Sequence, residues 1–124
     1  MSNKIFILGI DGMSYSLMQS DYIKSLMPNL SDICTRYNLY KMNSVFPVIS
    51  SVAWTSFATG SNPGEHGIFG FTDRQYNPFR IMIPMSKNRK KTPIWSRLPQ
   101  VKKKIVINVP LTYPPEALNG YMVS

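Results

Sequence analysis

Lys4-Ile5-Phe6-Ile7-Leu8-Gly9-Ile10 is an apolar run that stops abruptly at Asp11-Gly12. A short continuous apolar segment ended by a turn reads as a strand buried on both faces, the pattern of parallel sheets. Residues 104–109, Lys-Ile-Val-Ile-Asn-Val, repeat it and are ended by Pro110. Helical signals lie between the two. Residues 14–27 read as one helix, and Pro28-Asn29 opens a second over residues 30–37, with Leu30, Ile33 and Cys34 at helical spacing. Residues 50–59 read as a third, with Ser50 at the N-cap and Gly60 just past the end. Thr92-Pro93-Ile94-Trp95 starts a fourth, with threonine as cap and proline first. Weaker strand signals cover residues 40–45 and 80–85, and residues 61–67 form a loop rich in Gly, Pro and Asn. Alternating strands and helices predict an α/β fold, a mostly parallel sheet with flanking helices.

The chain has 124 residues, room for one domain at most. Four strands with buried character would lack covering layers, and the end at Tyr121-Met122-Val123-Ser124 is apolar. The expectation is therefore that residues 1–124 are the N-terminal part of a single larger catalytic domain. No apolar stretch reaches the ~18 residues of a membrane-spanning helix. Residues 1–10 are too short for a leader core, and no small-residue cleavage site follows. The single cysteine, Cys34, excludes an internal disulfide and suggests a reducing, cytoplasmic setting.

Charge is uneven. Residues 74–124 carry ten of the fourteen basic residues against Glu116 alone, with clusters at Lys87-Asn88-Arg89-Lys90-Lys91 and Lys102-Lys103-Lys104. Such clusters can bind nucleic acid or an anionic surface. Aromatic residues are not interleaved with them as stacking platforms would be, so a solvated loop is the expected reading and nucleic acid is not an expected partner.

Three places could carry chemistry. Asp11 follows the first apolar run, where open α/β sheets gather ligands, and a carboxylate there suits a hard cation; it equally suits a turn. Ser50 stands where a loop turns into a helix, so it can cap the helix or attack a phosphoryl group held by the first N–H groups. Ser51 rivals it for either role. The segment Ala58-Thr59-Gly60-Ser61-Asn62-Pro63-Gly64-Glu65-His66-Gly67-Ile68 is the most specific pattern in the chain. His66 there could act as a base or ligand, or could pin a tight loop through ring hydrogen bonds.

Taken together, Ile7-Leu8-Gly9-Ile10-Asp11-Gly12, Met27-Pro28-Asn29-Leu30, residues 50–68 and Asn108-Val109-Pro110-Leu111-Thr112-Tyr113-Pro114-Pro115 resemble the alkaline phosphatase superfamily, in its type I phosphodiesterase and nucleotide pyrophosphatase branch. The resemblance implies a metal-dependent phosphoric ester hydrolase with two divalent ions, zinc foremost and manganese or magnesium as alternatives. It implies Asp11 as a metal ligand and Ser50 as both nucleophile and metal ligand, since the family nucleophile precedes the glycine of the Thr-Gly pair by ten residues. The Ser51 N–H would hold a phosphate oxygen. Gly60, Pro63, His66 and Gly67 would form a supporting loop. The partner implied is a phosphate ester. One histidine and six carboxylates are too few for a two-metal centre beside their other roles, so the remaining ligands are expected beyond Ser124, and these residues alone are expected to be inactive. A basic binding module and a catalytically dead relative are the alternatives.

Overall fold

The computed structural model describes residues 4–124; the leader reading, where it touches residues 1–3, lies outside them. The chain forms two compact units, divided between Asn43 and Ser44.

The first unit is helical. Ser14 caps α1 (Tyr15–Met18) by accepting from the Leu17 N–H at 3.2 Å. Ser20 then interrupts the single helix expected over residues 14–27. Its hydroxyl donates to the Leu17 carbonyl and accepts from the Ile23 N–H, closing α1 and opening α2 (Asp21–Leu26). Serine competes with the helical backbone for hydrogen bonds, which is why the break falls there. α3 (Pro28–Arg36) follows with proline in its first turn, as the sequence predicts.

The strands expected at residues 4–10 and 40–45 are not formed. A strand needs a ladder, and among the described residues of this unit no strand offers an edge. Ile5 and Phe6 are 83% and 89% exposed rather than buried.

The second unit, Ser44–Ser124, contains α4 (Ser50–Thr59), α5 (Pro63–His66), the hairpin β1 (Asp73–Tyr76) and β2 (Phe79–Met82), a 3₁₀ turn at Ser86–Asn88, α6 (Ile94–Arg97), β3 (Lys104–Ile107) and β4 (Gly120–Val123). The fold is α/β, but the described residues form two small sheets in place of the mostly parallel one expected. β1 and β2 pair antiparallel and β3 and β4 pair parallel. β3 ends two residues earlier than expected because Asn108 takes φ 53°, outside the extended region. Only one face of β3 is buried, through Lys104 and Val106, while Ile105 and Ile107 face outward. Lys104 tolerates burial because its Nζ reaches the Leu98 carbonyl at 3.0 Å.

Ala58 of α4, Trp95 of α6 and Val106 of β3 make the core, with Val109, Leu118 and Met122 packed against it. This cluster anchors α4. The β3–β4 register sets Gly120 opposite Lys104 at φ 147°, and a Cβ there would collide with the Lys104 carbonyl. Only glycine fits that close approach.

Candidate functional site

Helical geometry in α4 begins at Ser50. Ile49 is the N-cap, in extended conformation and without a side-chain cap bond, so Ser50 occupies the first helical position and not the cap expected for it. The Val52 and Ala53 N–H groups both donate to the Ile49 carbonyl, at 3.0 and 2.9 Å. The Ser51 N–H therefore lies ahead of the helical ladder, where helix starts leave donors and a positive dipole end. Ser50 is half-buried. Ser51 is fully buried, and its Oγ has no hydrogen-bond partner among the described residues.

Hydroxyls tie the rest of α4 together. Thr55 Oγ1 donates to the Ser51 carbonyl and Thr59 Oγ1 to the Thr55 carbonyl, both at 2.7 Å. The helix stops at Gly60, which takes φ 62°, a left-handed conformation that glycine adopts without a Cβ penalty.

The loop expected at residues 61–67 contains one helical turn. Asn62 Oδ1 accepts from the Glu65 N–H, Glu65 Oε2 accepts from the Asn62 N–H, and Pro63 takes the first turn. This reciprocal arrangement is a capping box. The Asn62 backbone bond and the nearby Lys91 ammonium, 3.5 Å away, lower the Glu65 pKa. Gly67 closes the turn beneath the Lys90 side chain.

His66 is buried completely. The Ile68 N–H donates to Nδ1 at 3.1 Å, so the ring proton sits on Nε2, which donates to Ser56 Oγ at 2.8 Å. Burial, reinforced by the Arg89 charge and partly opposed by Glu65, lowers the His66 pKa. A neutral imidazole thus bridges α4 and the backbone that follows α5. Sequence reasoning missed Ser56; nothing distinguishes it from the other hydroxyls of α4.

Much of the basic cluster is engaged inside the fold. The Arg89 side chain is 4% exposed and pairs with Glu116. It also donates to the Lys91 and Leu111 carbonyls, and its guanidinium lies 5.7 Å from the Trp95 ring centroid. Trp95 Nε1 and Ser96 Oγ donate to Glu116 Oε2. Lys91 faces Glu65, and the Lys90 N–H donates to the His66 carbonyl at 2.9 Å.

Asp11 lies exposed in the first unit, in a turn with Gly12. Ser50, Ser51, Gly60, Pro63, His66 and Gly67 all lie in the second. Among the described residues no three of His, Cys, Asp and Glu gather as a group able to hold a metal. A cleft of about 430 Å³ opens beyond the carboxyl end of β3, between Met85, Val109, Leu111 and Tyr113; none of the predicted site residues lines it. No helix among the described residues is long and apolar enough to cross a membrane.

Comparison with curated proteins and with solved structures gave no match. The family model for type I phosphodiesterase / nucleotide pyrophosphatase matches residues 5–117. That span takes in Asp11, the start of α4 and the whole turn-rich loop after it, and the chain belongs to this family.

Proposed function

We propose that this chain contributes the nucleophile and one metal-binding carboxylate to a phosphodiesterase or pyrophosphatase-type hydrolase acting on phosphate esters. The observation that carries the reading is the family match across residues 5–117, joined to Ser50 standing at the first position of a helix whose early N–H groups precede its ladder.

The donor chemistry fits part of a metal site. Asp11 is an exposed carboxylate and Ser50 a hydroxyl, both hard oxygen donors suited to zinc, manganese or magnesium. Two metals are proposed, with zinc first, and the remaining ligands are proposed to come from sequence beyond Ser124 of the same catalytic domain, in a cytoplasmic protein. When bound, a divalent ion lowers the pKa of a coordinated hydroxyl and offsets charge on the phosphoryl group.

The chain's own residues then act in order. Ser50 Oγ forms the new bond to phosphorus while the bond to the leaving oxygen breaks, and that oxygen departs with the electron pair. The hydroxyl proton passes to solvent. Ser51 is fully buried, so its N–H, ahead of the ladder, would donate to a nonbridging oxygen as negative charge builds there only once the residues covering it move aside. Water then cleaves the phosphoserine and restores Ser50. Gly60 and the Pro63–His66 turn keep α4 and its following loop in place.

Metal dependence tests this reading in the full-length protein. Chelation is expected to abolish hydrolysis of a bis-aryl phosphate diester, with activity restored by Zn²⁺ or Mn²⁺. Asp11→Asn is expected to raise the metal concentration needed for half-maximal activity by about tenfold or more, by removing a charged ligand. Turnover that survives exhaustive chelation, or an Asp11→Asn variant with unchanged metal demand, would remove Asp11 from the site.

A further inference from the structure

We propose that His66 is an acid-sensitive clasp: its neutral ring holds the Pro63–His66 turn to helix α4, and protonation of that ring opens the clasp and loosens the helix that carries Ser50.

The geometry supplies the device. One ring nitrogen donates to Ser56 on α4 and the other accepts from the Ile68 N–H, so both sides of the imidazole are in use. A proton added at Nδ1 turns an acceptor into a second donor facing the Ile68 N–H. Two donors then confront each other in a site closed to water, and a buried N–H without an acceptor is costly. The break falls between α4 and the chain leaving α5, because the ring is what bridges them.

The charged surroundings do not favour the protonated ring. α4, Ser-Ser-Val-Ala-Trp-Thr-Ser-Phe-Ala-Thr, brings no ionisable carboxylate or amine. α5 brings Glu65, already engaged by the Asn62 N–H and Lys91. The segment after Ser86–Asn88 brings Arg89, whose charge opposes protonation, and Lys90, whose N–H occupies the His66 carbonyl. A folded-state pKa held below the ordinary value of 6.5 means the unfolded chain binds the extra proton more readily. The contribution of the clasp to stability is therefore complete above pH 6.5, and is lost as pH falls through that value towards the depressed one. The Glu65 pKa is lowered from 4.5, so its own loss begins about two pH units further down.

The bearing of the clasp on catalysis rests on Ser50 being the nucleophile; the clasp itself does not. The 124-residue chain has one histidine, so its imidazole nitrogen signals are unambiguous. Long-range ¹H–¹⁵N spectra of the 124-residue chain are expected to show the Nε2–H tautomer above pH 6.5 and a titration midpoint below it. Exchange protection of the Ile68 amide is expected to fall at least about tenfold as the ring takes up its proton. His66→Gln, which offers a donor and an acceptor but does not titrate, is expected to keep the Ile68 amide equally protected across that range.

An Nδ1–H tautomer, a midpoint at or above 6.5, or Ile68 protection unchanged through the titration would overturn the clasp. So would the same acid-dependent loss of protection in His66→Gln. If that variant does not fold, the wild-type spectra decide alone. A Ser50→Ala protein that still hydrolyses diesters would defeat the nucleophile reading and leave the tautomer and exchange results untouched, so the two failures are distinguishable.

Discussion

Ser50→Ala is expected to reduce hydrolysis of a bis-aryl phosphate diester by at least about a thousandfold in the metal-supplemented full-length protein, a loss of about 4 kcal/mol in transition-state stabilisation. The size follows from the role. A nucleophile forms the bond that defines the step, so its removal leaves only binding and electrostatic contributions. The loss should fall on kcat, with KM changing little, because alanine leaves the Ser51 N–H and the start of α4 in place. Ser50 is the first residue of the helix and Ile49 its cap, so circular dichroism should report unchanged helix content. A variant that keeps more than about a tenth of wild-type kcat would show that the attacking group is elsewhere.

Glu116→Ala is expected to destabilise the second unit strongly. Glu116 is the counter-charge of Arg89, whose side chain is 4% exposed, and it also accepts from Trp95 Nε1 and Ser96 Oγ. Deleting the carboxylate leaves a guanidinium buried with, among the described residues, only the Lys91 and Leu111 carbonyls as acceptors. Breaking a buried pair in this way costs about 3–5 kcal/mol. The indole of Trp95, a core residue beside Ala58 and Val106, loses its acceptor in the same change. A fall in Tm of more than about 10 °C follows for a unit of this size. Glu116→Gln keeps an acceptor for the indole and should lose less. A Tm within about 3 °C of wild type for Glu116→Ala would show that the ion pair contributes little.

Local signals in the sequence were readable where a short segment determines its own structure. Pro28 announced α3, and Gly60 marked the end of α4 at its left-handed position. Residues 4–10 show the limit. Their composition correctly reports an apolar run, but pairing depends on an edge supplied by other residues, and the described residues of that unit supply none. β1, Asp-Arg-Gln-Tyr, has no apolar alternation to announce it and exists through its pairing with β2. The same limit applies to the candidate site. Asp11, Ser50 and the His66 loop stood out by residue type and spacing, whereas Ser56 emerges only once the fold brings it to His66, ten residues away. Arg89 and Glu116 meet across 27 residues, so a cluster that reads as a solvated basic loop contains a buried ion pair. Lys104, at the start of an apolar strand, is buried for a related reason: Leu98 offers it a carbonyl.

The most direct measurement is to locate the transferred phosphoryl group. Full-length protein mixed with a phosphate diester and its metal, then quenched in acid during turnover, is expected to carry phosphate on the peptide containing residues 50 and 51, with fragmentation placing it on Ser50. Phosphate on Ser51 or on another residue, or steady turnover with no phosphorylated peptide trapped at any quench time, would contradict the account.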